Sequence, residues 1–405
     1  MTDVLVVGAG PAGLSAAVAC ANQGLSVRVA DEFYQPGGRL LGQLHQEPDG
    51  TWWNGLDEAV KLHDEAIRHG VRIDCGVSVY NVERSPNGWH VSTTDGSIDV
   101  PVLLLATGAT ETAVPVPGWT LPGVMSIGAA QVMTNVQRVR VGTRGVVIGV
   151  NILSVAIVRE LRLAGVHVER MVLPAANPVT AEAGHPASVM ESLLRVAHLA
   201  PSPFLRLGGK LMGLPGLQAL GLRLYPKSGV KMWGVPLQLR TAALEIVGEA
   251  QVEGVRVARI TREGKPIPGT EQVIPADFVC IAGGLSPLAE LAAVAGCPFA
   301  YLPSLGGHVP LHNERMQTPL PGLYVAGNIT GIESAKVAMV QGTAAGLAIA
   351  EDLGALRDPS KLQQAIGQVE AVRRQAVIQF HPEIAQGRQQ VHSMYDNFPK
   401  SQGDL

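Results

Sequence analysis

Three glycines near the start of the chain carry the first chemical signal: Val4-Leu5-Val6-Val7-Gly8-Ala9-Gly10-Pro11-Ala12-Gly13. An apolar strand, a GxGxxG turn, an Ala-rich helix and a second strand over residues 25–30 form a βαβ unit of the kind that holds a dinucleotide. Gly8 permits the tight turn, Gly10 lets backbone approach a pyrophosphate, and Gly13 lets helix and strand pack closely. The helix then aims unpaired N–H groups and the positive end of its dipole at phosphate. Asp31 follows 23 residues after Gly8, at the strand end where an acid bonds ribose hydroxyls.

The pattern returns 141 residues later as Gly145-Val146-Val147-Ile148-Gly149-Val150-Asn151-Ile152-Leu153-Ser154, with a helix and a strand over residues 166–173 behind it. This copy is altered. Asn151 stands at the close-approach position, where its side chain crowds a pyrophosphate, and Ser154 replaces the packing glycine. Twenty-three residues past Gly149 comes Val172, followed by Leu173 and Pro174. No acid is there for a ribose and no arginine for a 2′-phosphate. Gly149, Asn151, Ile152 and Ser154 are the candidate second nucleotide site, for NAD(P), for ATP or ADP, or for nothing.

These turns need elements to position them. Residues 77–82, 89–92 and 98–100 read as a meander of short strands, and Val102-Leu103-Leu104-Leu105-Ala106-Thr107-Gly108 as a buried strand ending in a small-residue turn. A second meander, over about 237–273, precedes Phe278-Val279-Cys280-Ile281-Ala282-Gly283-Gly284. Gly322-Leu323-Tyr324-Val325-Ala326-Gly327-Asn328 is one more strand and turn, before an Ala-rich helix from Ile332.

Composition narrows the class. At 405 residues the chain has room for two or three domains. A net charge of −3 provides no field toward nucleic acid or an anionic membrane. Hydrophobic residues make up 46% and charged residues 16%, which argues for a large core and against disorder. No apolar run is long enough to propose a spanning helix. The apolar start lacks a basic leader and is broken by glycines, so it is not read as a signal peptide. Cys20, Cys75, Cys280 and Cys297 are scattered, without CxxC or metal-ligand spacing, and a cytoplasmic location is the default expectation. The eleven histidines form no ligand pattern, so no metal is expected. His308 and His312 lie on a loop that could approach a cofactor, though surface imidazoles are the commoner outcome.

In this order the motifs resemble the two-dinucleotide-domain flavoproteins, in which an FAD domain is interrupted by an NAD-type domain. The resemblance covers nearly all of residues 1–355. It implies an α/β, glutathione-reductase-like fold: an FAD domain at 1–118 and 270–355, a second nucleotide-binding domain at 119–269 with a helical insertion at 174–228, and a helical tail at 356–405. It implies that Gly8, Gly10, Gly13 and Asp31 hold the ADP half of FAD. Pro11, Ala12, Glu32, Gly38 and Val79 are counted with the cofactor-binding residues. Thr107-Gly108 match the family's ATG turn. Gly327-Asn328 match a late Gly-Asp motif, with a neutral amide replacing the acid that bonds the ribityl chain.

Pro36-Gly37-Gly38-Arg39, Gly307-His308-Val309-Pro310 and Gly331-Ile332-Glu333-Ser334-Ala335-Lys336-Val337-Ala338 look like the α subunits of heteromeric amine and opine dehydrogenases. That group includes opine oxidases, hydrogen cyanide synthase, dye-linked proline dehydrogenases and part of heterotetrameric sarcosine oxidase. The resemblance implies an FAD-containing β subunit that oxidises the amine, and an α chain that completes the electron path. Many such chains carry a cysteine cluster for an iron–sulfur centre. None follows Cys297, so a cluster would need a small additional subunit. In this family the last helix faces the flavin, where its dipole stabilises the reduced form. Lys336 would add charge if it points inward, although lysines usually snorkel to water. Arg39 either faces the flavin or its phosphates, or is solvated.

Trp52-Trp53, between Asp49-Gly50 and Asn54-Gly55, reads as a loop anchor packed on its own domain, or else as a partner contact. The insertion is read as extra packing or partner docking in equal measure. The tail, with Arg373, Arg374 and Arg388, reads as surface helices ending in a frayed terminus. The expectation is an FAD-dependent oxidoreductase, the α-like subunit of a heteromeric amine, opine or imino-acid dehydrogenase or oxidase. The alternatives are an autonomous NAD(P)H-dependent flavin reductase and a redox-inactive nucleotide-binding scaffold.

Overall fold

In the computed structural model, residues 2–47, 49–180, 182–200, 203–212 and 217–399 are described. Residues 181, 201–202 and 213–216 of the expected insertion, and 400–405 of the expected tail, lie outside the described residues. The chain divides into two compact units, one of Met1–Gln43, Asn54–Thr110 and Leu285–Leu405, the other of Leu44–Trp53 and Glu111–Gly284.

The first unit is built on a five-stranded parallel sheet in the order Leu323–Val325, Val102–Leu105, Val4–Val7, Val27–Asp31 and Arg72–Cys75. Its central strands are continuous apolar runs rather than alternating ones, because both faces of a parallel sheet are covered. Val4–Val7 and Val102–Leu105 are buried along their whole length. The strand order reverses at Val4–Val7, and ligands of open α/β sheets bind at such a switch point.

One face carries the helices Pro11–Ala21 and Ala335–Asp352. Their small side chains follow from how close they lie. A Cβ at Gly342 would stand 2.1 Å from Ala12 O, and one at Gly346 would stand 2.5 Å from Ala16 O. The antiparallel meander Val79–Ser85, Gly88–Thr93 and Gly96–Val100 has the alternation of a half-covered sheet, with Trp89, Val91 and Thr93 inward.

Helix Gly55–Arg68 was not legible in the sequence, where Asn54-Gly55 read as a turn. Asn54 Oδ1 accepts from Leu56 N at 3.1 Å and caps the helix instead. The tail forms helices Ser360–Gln375 and Ile384–Asp396. They are not simply the surface helices expected: Arg373 and Arg388 are 4% and 2% exposed.

In the second unit, Val124–Ser126, Phe278–Ile281, Arg144–Ile148, His167–Pro174 and Val235–Val247 run parallel. Gly254–Arg259 and Gln272–Pro275 then complete an antiparallel meander. Two expected boundaries move for this reason. Phe278–Ile281 is a strand of the second sheet, so that unit runs to Gly284 rather than stopping near 270. Pro117 O accepts from Ile246 N at 2.7 Å, which ties residues before 118 to the same unit. The described parts of the insertion include three helices, Pro186–Arg195, Pro203–Met212 and Leu217–Leu224, along with turns. Val189, Met190 and Leu222 join the unit's core, so part of the insertion is packing. Trp52, 49% exposed, lies under the Arg159 guanidinium at 5.1 Å. Its contact is a cation–π stack within the second unit.

Candidate functional site

The three turns that the sequence singled out in the first unit meet at the C-terminal end of Val4–Val7. Gly8 has φ +105°, and a Cβ there would lie 2.5 Å from Ala106 O. A Cβ on Gly13 would lie 1.9 Å from Gly8 O, so the helix is seated directly on the turn. Gly37 N donates to Ala9 O at 2.8 Å, and a Cβ on Gly38 would come within 3.0 Å of Gly10 Cα. Gly327, with φ +80°, brings the late turn to Ala12, where a Cβ would meet the Ala12 Cβ at 2.8 Å. Thr107 Oγ1 donates to Leu288 O at 2.5 Å and pins the ATG turn.

Against this crowding, a Cβ at Gly10 or Gly108 would meet nothing within 4 Å. Helix Pro11–Ala21 has Gly10 as its N-cap and Pro11 inside its first turn, with no side chain capping it. Its first amide donors are therefore left for an anion. Open space beside an uncapped helix N-terminus, enclosed by glycines that nothing larger could replace, fits the pyrophosphate of a dinucleotide.

Asp31 Oδ2 accepts from Ala9 N at 2.6 Å and Oδ1 from Phe33 N at 2.8 Å. Burial pushes its carboxyl above the usual range, against the opposite pull of those two amides. Each oxygen retains a lone pair for a hydroxyl donor. Glu32 beside it is exposed, and Val79 is half-buried at the start of the meander. Arg39 Nε and Nη2 both donate to Ala109 O, at 3.2 and 2.8 Å, so the guanidinium buttresses the chain after the ATG turn. Lys336 is exposed. His308 is exposed as well, while His312 is fully buried, contrary to the surface expectation.

Asn328 Oδ1 accepts from Glu333 N at 3.2 Å and closes the late turn on itself. Sequence reading missed two residues here. Gln341 Oε1 accepts from Gly327 N at 3.0 Å, and Glu333 is buried behind the turn. Gln341 could have been found as the one long polar residue between Val337 and Ala350, where the helix is otherwise small and apolar.

The second glycine turn repeats the backbone of the first but not its openness. Gly149 has φ +106°, and a Cβ there would lie 2.3 Å from Ala282 O, as Gly8 faces Ala106. Asn151 caps the following helix, Ile152–Leu163: its Oδ1 accepts from Ser154 N at 2.9 Å, and Ser154 Oγ accepts from Asn151 N at 2.9 Å. Asn151 Nδ2 also donates to Ala282 O at 3.3 Å. Two of the donors that a pyrophosphate would use, Asn151 N and Ser154 N, are thus spent within the chain, and the Asn151 side chain occupies the close-approach position.

The position matching Asp31 also moves by one. Gly8 N donates to Ala30 O and Gly149 N to Val172 O, so Leu173 stands where Asp31 does. The cause is a bulge: Gly145 pairs with Val168 and Val146 with Arg170, leaving Glu169 as an extra residue. Leu173 is fully buried and apolar, so the ribose still has no acid.

Such a pair of glycine turns, each at the end of a parallel strand of its own sheet, defines a two-dinucleotide-domain fold. The chain belongs to the pyridine nucleotide-disulphide oxidoreductase family, whose pattern matches residues 2–187 and 227–342. That family is one of oxidoreductases, and the first glycine turn has the residues to seat a dinucleotide such as FAD. The chain is similar to an opine oxidase subunit of Agrobacterium tumefaciens (strain Ach5), with 29% identity over 364 residues, 87% of this chain and 66% of that one. It is also 26% identical over 376 residues to hydrogen cyanide synthase subunit HcnB of Pseudomonas protegens, covering 90% of this chain and 73% of that one. The chain spans about two thirds of the length of the opine oxidase subunits it matches. Among solved structures, L-proline dehydrogenase from P. horikoshii superposes with a TM-score of 0.64 at 18% identity, over 91% of this chain and 58% of that one, a likeness of fold. Among the described residues, no helix is long and apolar enough to cross a membrane, and no group of three or more potential ligands could hold a metal.

Proposed function

We propose that this chain is the flavin-binding, α-like subunit of a cytoplasmic heteromeric dehydrogenase or oxidase acting on an amine, opine or imino acid, and that it receives electrons from a partner's flavin. The observation that carries this reading is the contrast between the two glycine turns. One presents an uncapped helix, open space and a ribose acid. The other is capped by Asn151 and Ser154, which bond each other's amides, and offers Leu173 in place of the acid. An enzyme reduced by NAD(P)H needs both seats, and this one has the residues for the first.

FAD, when bound, supplies the two-electron chemistry. In this reading Gly8, Gly10 and Gly13 admit its pyrophosphate to the amides at the start of helix Pro11–Ala21. Asp31 accepts from the adenosine ribose, and Gly38 and Gly108 leave backbone room beside the cofactor. Residues 327–334 and the helix behind them face its flavin end, where the helix dipole favours negative charge. The relatives named as subunits of opine oxidase and hydrogen cyanide synthase support a partner chain; in this reading the partner carries a flavin of its own, and any iron–sulfur cluster sits on a further small subunit.

The test is an anaerobic visible spectrum of the purified chain before and after excess NADH or NADPH. The expected result is an oxidised flavin spectrum that neither nucleotide bleaches. Prompt bleaching would overturn the proposal in favour of an autonomous reductase. A chain that binds no FAD when reconstituted would favour a scaffold.

A further inference from the structure

The loop at residues 327–334 is one 3-10 turn, Gly327–Thr330, followed by irregular backbone from Gly331 to Ser334. It begins at Gly327 with φ +80°, passes Gly331 with φ 138°, and reaches its helix at Ala335. Part of its shape is fixed from within, by Glu333 N donating to Asn328 Oδ1 and Thr330 Oγ1 to Gly327 O. The rest of the hold comes from the tail. The Glu333 carboxylate is buried and gripped from two helices at once. Arg373 donates through Nε to Oε1 at 2.5 Å and through Nη2 to Oε2 at 3.1 Å. Arg388 donates through Nη2 and Nε to Oε2 at 2.6 and 3.1 Å. These arginines lie 40 and 55 residues beyond Glu333, on helices Ser360–Gln375 and Ile384–Asp396.

The grip continues on both sides of the carboxylate. Arg388 Nη1 donates to Thr330 O at 2.6 Å, holding the loop backbone directly, and to His312 Nε2 at 3.3 Å. His312 Nδ1 donates to Pro310 O at 2.8 Å, which leaves Nε2 as the acceptor. Burial and the neighbouring Arg388 hold His312 well below its usual pKa, in the neutral form this arrangement requires. Toward the glycine turns, Gln341 Nε2 donates to Glu333 Oε2 at 3.4 Å while its Oε1 accepts from Gly327 N. An unbroken line of hydrogen bonds therefore runs from the tail helices to the turn that packs on Ala12.

We infer that the C-terminal helix pair is the back wall of the flavin site, with Arg373 and Arg388 as positioning residues that fix residues 327–334 through Glu333. This rests on the FAD reading above. A buried carboxylate held by two forks is rigid while complete, and unstable once either partner is removed. The tail thereby sets the shape of the loop that meets the cofactor in that reading.

The test has two parts. The FAD-to-chain ratio and FAD Kd of the unaltered protein come first; failure to bind FAD would sink the flavin reading, not the wall. Native-state hydrogen exchange on the FAD-free protein then follows the amides of Gly327, Gly331, Ile332 and Glu333 in rising denaturant. They are expected to open together with the amides of the two tail helices. Loop amides that stay protected after the tail helices have opened would overturn the inference, and this needs no variant. Arg388→Met and Arg373→Met are expected to speed loop exchange and raise the FAD Kd by at least about tenfold, a change near 1.4 kcal/mol. Arg388→Lys, which keeps the charge but loses the fork, is expected to fall between. Folded variants with unchanged FAD affinity, flavin spectrum and loop exchange would equally overturn it.

Discussion

Asn151 and Ser154 hold each other across the mouth of the second glycine turn, each backbone N–H donating to the other's side-chain oxygen at 2.9 Å. Gly10 and Gly13 occupy the same two steps in the first turn and have no side chain with which to do so. One backbone design thus appears twice, open to an anion in the first unit and closed on itself in the second.

Asn151→Ala removes the cap and is expected to cost about 1 kcal/mol of stability, read as a lower Tm. Neither the variant nor the unaltered protein is expected to bind NADH, because Leu173 still stands at the ribose position. A fluorescence titration checks this. Roughly micromolar NADH affinity in the unaltered protein would contradict the closed site.

Two glycine substitutions separate binding from folding. Gly10 has φ −76° and ψ −175°, open to any residue, and its Cβ would point into free space. Gly10→Ala is expected to leave the Tm of the FAD-free protein unchanged while weakening FAD binding at least about tenfold. Gly13→Ala would drive a Cβ to 1.9 Å from Gly8 O, and is expected to cost about 1–3 kcal/mol or more in folding. Thermal denaturation and the ratio of flavin to protein absorbance read the two effects apart.

Glu160 provides a pH signature in the second unit. Burial pushes its carboxyl up to about 7, against donors from Gln131, Asn135 and Leu44 N. The folded protein retains a proton that the unfolded chain releases near its ordinary value of 4.5, so this contribution to stability falls as pH rises between the two. The loss amounts to about 3 kcal/mol by pH 8. Glu160→Gln is expected to flatten this dependence and to be the more stable form at pH 8, measured by urea unfolding at pH 5 and pH 8.

The thiols are expected to be inert, despite the family's name. Cys20, Cys280 and Cys297 are buried, and burial raises the pKa of each. Cys75 is half-buried and also raised, by burial and by Asp31 and Asp74. A thiol reagent at pH 7.5 should modify Cys75 slowly and the other three only after unfolding. Rapid modification of a pair would point to a disulfide centre instead.

The glycine turns, the strands behind them and the altered second fingerprint were legible because each depends on residues close together in sequence. What was not legible depends on distant partners. Arg373 and Arg388 sit in a polar stretch that reads as surface, and their burial follows from Glu333, far upstream. The shift from Val172 to Leu173 arises from a bulge at Glu169, which spacing alone does not reveal. Asn54-Gly55 fits a turn and a helix cap equally well, and the 14 residues of helix that follow decide it. The strand Phe278–Ile281 resembles its counterpart Val102–Leu105, so composition could not assign it to the second sheet.

The close seat of helix Pro11–Ala21 on Ala335–Asp352 sets a timetable for biosynthesis. Cys20 Sγ donates to Gly346 O, 326 residues along the chain. At roughly 5–20 residues per second, a ribosome takes some tens of seconds to supply that partner. The second unit, nearly continuous in sequence, is complete well before then. Meanwhile Val102–Leu105 exposes the sheet edge that Leu323–Val325 will cover, so the nascent chain carries a finished domain beside an open apolar edge, the kind of surface that chaperones shield.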